Sequence, residues 1–388
     1  MNITIINQHT LNYGDDIAGI SLIERIIDYF GKNTYINILY NTKGVLNYFK
    51  ENIHHKDDVT LKRIGIVGIL KIIIFAKLNI KLNLNSATKE FIQIIEDSDL
   101  IFVSPCGANI GIYKDWRFLI RLYLTVILGK KPIFHNNTIG KSNSIIFNSV
   151  AKYVLKNSKL YVRELKSYDY LQSIGLKSYR SVDTGFLFRN DKVFKVEKDY
   201  VLFIPTQLSN WHPDFKNLEI ENKVIDTVLI PFLDYAETNN YDVYILPHLY
   251  GGQDEKELLE YYLEEIKQRT NFSHNIDIAE IIDCYDYDNF ISHSKFVVSM
   301  RYHGVVMSIK NEVPFLSLAY ENKMLEVCRY SNLDYLNIMI KDLIKNNPEV
   351  NIEEFKNKFH EGYKKSHILY LNNICLTCLN QEKFLKEG

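Results

Sequence analysis

Short apolar runs alternate with helix-spaced apolar positions along most of this chain. Strand-length runs occur at residues 3–7, 35–40, 100–104, 132–135, 160–162 and 178–183. Helical spacing lies between most of them. Over residues 16–30, Ile17, Ile20, Ile23, Ile26 and Ile27 share a face behind acidic residues that suit a helix start, and residues 113–128 and 145–155 read the same way. The polar run 189–199 interrupts the pattern and reads as a linker. A second set then begins with a strand at 200–205, a helix over 220–237, a strand at 242–247 and a helix over 255–269. Strands at 296–299 and 314–318 follow, with a short helix between them, and the tail from 352 to 379 is helical throughout. Alternation of this kind predicts α/β architecture: two Rossmann-like doubly wound domains, residues 1–190 and 191–388, with a cleft at the carboxyl ends of their strands.

Length agrees, since 388 residues exceed one ordinary core, and 46% hydrophobic with 24% charged residues is globular composition. Forty-six basic against 47 acidic residues argue against a nucleic-acid partner, which would need a dominant basic face. Five scattered cysteines indicate a reducing, cytoplasmic setting. Cys375 and Cys378 form one C-x-x-C at helical spacing, which reads as packing, because a structural zinc would need two further ligands. No other cluster has ligand spacing, so no metal is expected. Residues 1–6 read as a strand, not a signal peptide. Residues 64–84 are the most apolar stretch, interrupted by Lys71, Lys77 and Lys81. They predict a buried helix followed by an alternating strand over 78–84; the alternative is an interfacial helix giving peripheral contact with the inner face of a membrane.

The richest chemistry stands in Ser299-Met300-Arg301-Tyr302-His303-Gly304, where an apolar strand ends and helical spacing resumes. In an open α/β sheet such a turn faces the ligand crevice, and the new helix start favours an anion. Arg301 offers a planar fork for phosphate or carboxylate, His303 a proton carrier, and Gly304 close backbone approach. Other candidates are His135-Asn136-Asn137-Thr138-Ile139-Gly140, which follows a strand and is a candidate cleft wall, and His54-His55, which reads as a solvated loop.

Residues 299–304, with Pro314-Phe315-Leu316-Ser317-Leu318-Ala319-Tyr320-Glu321-Asn322-Lys323 downstream, resemble the signature of the polysaccharide pyruvyl transferase family. Asn12-Tyr13-Gly14-Asp15 resembles its amino-terminal Asn-x-Gly-Asp turn, Val162-Arg163-Glu164 its Arg-acidic turn, Val182-Asp183 the next strand end, and Leu246-Pro247-His248 with Asp254 its Pro-His segment. The likeness spans residues 3 to about 330. It departs at Ser104-Pro105-Cys106-Gly107-Ala108-Asn109, where members carry a richer glycine turn.

The resemblance implies a transferase with phosphoenolpyruvate as donor substrate and no cofactor, acting on a sugar or oligosaccharide, free or lipid-linked, in cell-surface or exopolysaccharide synthesis. It implies catalytic roles for His303 and Arg301 and donor contacts from Arg163, Lys323 and the Gly304 helix start. Asn12, Gly14, Asp15, Asp183, Asp254 and His248 are the remaining substrate-side candidates, and the first domain is the expected acceptor side. Two alternatives remain open: a nucleotide-sugar glycosyltransferase of the same GT-B-like layout, and a non-catalytic sugar-binding protein. The intact Arg301, His303 and Lys323 set argues against the last.

Overall fold

A computed structural model describes every residue except 79–82, 210–211, 213–214, 216–219, 347 and 388, and only the backbone of 384–387. The strand expected over 78–84 thus falls largely outside the described residues. Packing divides the chain into two compact units: Met1–Leu11, Asp15–Phe188 and Asn372–Gly388 form the first, Asn12–Gly14 and Arg189–Leu371 the second. Most of the second unit thus starts at Arg189, and the end of the tail groups with the first unit.

The first unit holds β1 (Asn2–Gln8), β2 (Tyr35–Tyr40), β3 (Ile53–Lys56), β4 (Leu100–Val103), β5 (Ile133–Asn137), β6 (Lys159–Val162) and β7 (Tyr179–Arg180). They pair in the order β3-β2-β1-β4-β5-β6-β7, parallel throughout, so chain direction across the sheet reverses between β1 and β4. The helices are α1 (Tyr13–Phe30), α2 (Leu61–Leu78), α3 (Ser86–Asp97), α4 (Trp116–Ile127), α5 (Ile145–Lys156) and α6 (Leu165–Ser173). Side-chain caps set three starts: Asn85 accepts from the Thr88 amide, Asp115 from Arg117 and Phe118, and Ser144 from Phe147. Gly65 breaks α2 near its start at φ +70°, a left-handed backbone that glycine adopts without strain.

Two sequence expectations change here. His54 and His55 lie not in a loop but on the edge strand β3, where His54 stacks on Tyr35 and His55 bonds the Tyr40 hydroxyl through Nδ1 and the Tyr48 carbonyl through Nε2. His135, Asn136 and Asn137 are fully buried, so they are internal pins and not a cleft wall. Asn136, at φ +60°, donates to Thr184 and to the Cys375 sulfur, while Asn137 donates to the Ser104 carbonyl. This is the local reason for the register shift between His135 and Asn137.

The second unit repeats the plan with β8 (Tyr200–Ile204), β9 (Asp242–Ile245), β10 (Ile276–Ile278), β11 (Val297–Ser299), β12 (Phe315–Ala319) and β13 (Asn337–Met339). Their order is β10-β9-β8-β11-β12-β13, again all parallel, with the reversal between β8 and β11. Its helices are α7 (Ile220–Val224), α8 (Ile230–Thr238), α9 (Lys256–Arg269), α10 (Cys284–His293), α11 (Tyr302–Lys310), α12 (Asn322–Tyr330), α13 (Ile340–Asn346) and α14 (Ile352–Gly362). The single helix expected over 220–237 carries a π turn at Ile225–Leu229, next to Pro231, which has no N–H for the α ladder. The supposed linker is tied down: Asn190 donates to the Tyr285 carbonyl and to Asp288, and Lys192 pairs with Asp286.

The tail is two helices, α14 and α15 (Lys365–Glu387), and α15 belongs to the second unit up to Leu371 and to the first from Asn372. In the first unit Cys375 and Cys378 are buried free thiols, and Lys159 pairs with Glu382 at 2.6 Å. Both architectures are Rossmann-like and doubly wound, as the alternation predicted.

Candidate active site

In a doubly wound sheet, ligands bind beyond the strand ends where chain direction reverses. In the second unit that point lies between β8 and β11, and Arg301 stands two residues past the end of β11. Its Nε donates to the carbonyl of Pro205, just past β8, at 2.9 Å. Its Nη2 pairs with Glu255 Oε1, and the other Glu255 oxygen accepts the amides of His248 and Leu249 at 3.3 and 3.1 Å. Glu255 thus ties the loop after β9 to the start of α11. Asp254, a substrate-side candidate from the sequence, is exposed and accepts the Lys256 amide. Burial lowers the Arg301 pKa to about 10, so it remains a cation at neutral pH.

Beside it His303 is nearly buried, its ring 6.3 Å from that of His248 and edge-on to Tyr302 at 5.0 Å. The strap Asn12–Gly14 holds this pair from the other side. Tyr13 donates its amide to the His248 carbonyl and stacks on Tyr250 and Tyr287, while Asn12 turns its side-chain oxygen back to the Gly14 amide. A Cβ on Gly14 would stand 2.0 Å from His303 Nδ1, so the imidazole occupies the space a side chain would need. Gly304 is different. A Cβ there would meet Ser299 Oγ at 2.3 Å and Ile204 at 2.8 Å, so helix-to-sheet packing by itself requires this glycine.

His248 bonds Tyr287 through Nδ1 at 2.9 Å. Burial, helped by the charges of Arg301, His303 and Lys323, pushes its pKa well below the ordinary histidine value. Lys323, at the start of α12, pairs with Glu321 at 2.9 Å. The cluster thus presents two cations, Arg301 and Lys323, each braced by a carboxylate, Glu255 and Glu321, so a bound anion would meet a guanidinium and an ammonium already held in place. Among the described residues no group of three or more His, Cys, Asp or Glu could hold a metal ion.

The other sequence candidates lie in the first unit. Arg163 and the fully buried Asp183 form an ion pair, and Arg163 Nε also donates to Thr138 at 3.1 Å. Asp183 meanwhile caps the turn at Thr184–Leu187. Asp15 lies near His9, which the sequence reading missed. His9 Nε2 meets the Asn109 and Asn41 amides at 3.1 and 3.4 Å, and both amides also donate to Asp115. Burial lowers its pKa against the opposing pull of Asp15 and Asp115. This cluster lies at the reversal between β1 and β4; a lone histidine and dispersed asparagines gave no signal in sequence.

The sequence matches the polysaccharide pyruvyl transferase family over residues 12–322. The chain belongs to that family. No curated protein matches it significantly in sequence. Among solved structures it is similar to one from Listeria monocytogenes described as a UDP-N-acetylglucosamine 2-epimerase, with TM-score 0.62, 12% identity, and 100% of this chain and 97% of that chain covered. UDP-GlcNAc 2-epimerases from Methanocaldococcus jannaschii and Neisseria meningitidis give TM-scores of 0.57 and 0.55 at 12% and 11% identity, each covering 100% of both chains. At such identity the likeness shows the fold, which is of the GT-B type.

Two expectations follow for this family member. Gly14→Ala should displace His303, so pyruvyl transfer should fall at least about 30-fold, and the overpacking should lower the unfolding temperature as well; steady-state kinetics beside a thermal melt reads both. Acid should also destabilise the fold through its buried histidines. Burial holds His135 near pKa 4 and His248 well below 6.5, so the unfolded chain binds more protons as pH falls through 6.5. Stability should therefore drop between pH 7 and 5, by up to about 1.4 kcal/mol per pH unit for each histidine. Urea midpoints at the two pH values check this, and His135→Gln should flatten the dependence.

Proposed function

We propose that this family member transfers pyruvate from phosphoenolpyruvate to two hydroxyls of a sugar, forming a cyclic ketal. The observation that best supports the reading is His303, seated on Gly14 beside Arg301 at the reversal of the second sheet. The donor carries a carboxylate and a phosphate, which the cations Arg301 and Lys323 would hold, with the α11 start adding N–H dipoles.

A proton from His303 adds to the methylene carbon, making it a methyl group and leaving C2 electron-poor. One sugar hydroxyl adds to C2 and passes its proton to the now neutral His303 imidazole. The C2–O bond to phosphate then breaks, phosphate leaves with the bonding pair, and the second hydroxyl adds to C2 and gives its proton to the departing phosphate. Arg301 would stabilise the departing phosphate. Glu255 would keep the guanidinium in place, and His248, held neutral, would orient the His303 ring without competing for the proton. We assign acceptor contacts to the first unit, where His9, Asn41 and Asn109 offer the neutral hydrogen-bonding groups that sugar hydroxyls suit.

The test is ligand-dependent stability followed by turnover. At about a hundred times its dissociation constant, phosphoenolpyruvate should stabilise the protein by about 2.7 kcal/mol. Phosphate release should then require an added sugar acceptor. Stabilisation by uridine or guanosine diphosphate sugars and none by phosphoenolpyruvate would sink the proposal in favour of glycosyl transfer.

A further inference from the structure

We infer that the α2 side of the first unit is a docking face for a bilayer surface rich in anionic headgroups. The helix divides its apolar residues between two rows. Ile64, Gly68 and Ile72 face inward, and Gly68 lies so close to α3 that a Cβ would stand 2.6 Å from Thr88 Oγ1. Ile66, Leu70, Ile74 and Leu78, also four residues apart, face outward with Val67. Ile66 is 78% exposed, Val67 65%, Leu70 55% and Leu78 63%, in a position where an ordinary surface helix shows polar side chains.

The face continues past α2. Ile112, Tyr113 and Trp116 are exposed on the loop after β4 and the start of α4, and Ile145 and Ile146 at the start of α5. All follow carboxyl ends of strands, as α2 does, and α2 packs on α4 and α4 on α5. A tryptophan and a tyrosine among aliphatic side chains are the composition of a water–lipid boundary. Among the described residues no helix is long and apolar enough to cross a membrane, so the face would lie on the surface.

Charge selects the occupant. From Val59 to Lys89 the chain has six basic residues and no acidic one. From Leu100 to Lys156 it has one acid, Asp115, whose carboxylate caps α4, while Lys114, Arg117 and Lys141 are exposed. A second copy pairing through the same patch would set like charges against each other, whereas anionic headgroups complement them.

Sedimentation of the full chain with lipid vesicles tests this without any donor or acceptor, so it stands apart from the proposed reaction. The protein should bind vesicles containing about a third phosphatidylglycerol at least about tenfold more tightly than pure phosphatidylcholine, and less as salt rises. The double variant Ile66→Asn with Leu70→Asn should weaken binding about tenfold, and Lys62→Glu with Arg63→Glu should abolish the anionic preference. These side chains are exposed, so the variants should melt like the parent. No binding to either vesicle, equal binding to both, or unchanged binding by the Asn variant overturns the inference. So does a wild-type dimer that ignores vesicles and becomes monomeric in the Asn variant, which would make the face an interface between copies.

Discussion

His303→Gln is expected to lower kcat by about 100-fold or more while changing the donor KM far less. Glutamine nearly fills the space of imidazole and keeps a hydrogen-bond donor, but it cannot release a proton at neutral pH. The ring it replaces is held on four sides, by the backbone of Gly14, the His248 and Tyr302 rings and the helix it sits on, so the substitution should not disturb the fold. A proton delivered from this ring is used only in the transition state, so its loss belongs in kcat. The limb of the pH–rate profile that reports the acid should vanish with it. If KM rises and kcat stays near the parent value, His303 is a phosphate ligand and the proton comes from elsewhere. His248 would be a poor replacement, because its site holds it neutral.

Arg301→Ala should cost roughly 2–4 kcal/mol in transition-state stabilisation, or about 30- to 1000-fold in kcat/KM. The variant has a second cost, because the nearly buried Glu255 carboxyl would lose the guanidinium opposite it. Removing one partner of such a pair typically costs about 3–5 kcal/mol of stability. Arg301→Lys separates the two effects. A lysine restores a positive charge opposite Glu255, so thermal stability should largely return. It cannot donate to Pro205, Glu255 and a ligand phosphate in one plane, so activity should return only in part. Kinetics and melting curves for the three proteins decide it. Full kcat/KM in the lysine variant would show that Arg301 acts as a point charge alone.

Periodicity made most of the fold legible, because a buried face imposes a repeat of 2 or 3.6 on the residues that line it. The strand at Tyr35–Tyr40 and the helix starts at Ile145 and Ile220 appear where the apolar pattern places them. The strands it did not reveal, β3, β10 and β13, are at most four residues long and each lies at or beside a sheet edge. So few residues, with solvent on one side, leave no repeat to detect. Likewise α2 read as a buried helix because its exposed row is as apolar as its buried one; the outline of hydrophobicity is the same whether such a row meets a core or stays uncovered.

For the site, the sequence by itself determined the junction of β11 and α11 and the residue types on it, since strand, turn and helix there are contiguous. Tertiary structure decided the rest. Glu255 reaches Arg301 across 46 positions of sequence, and Gly14 meets His303 across 289, because chain reversal brings the ends of β8, β9 and β11 together and the strap Asn12–Gly14 packs with them. Asp254 and Glu255 are indistinguishable as letters, and only the direction in which the backbone enters α9 turns one outward and the other onto the arginine. Gly304 likewise could serve a ligand or a neighbour until Ser299 and Ile204 were seen to fill the space. Local pattern reports which face of an element is buried; which side chain meets which depends on strand order, and no repeat within an element encodes that.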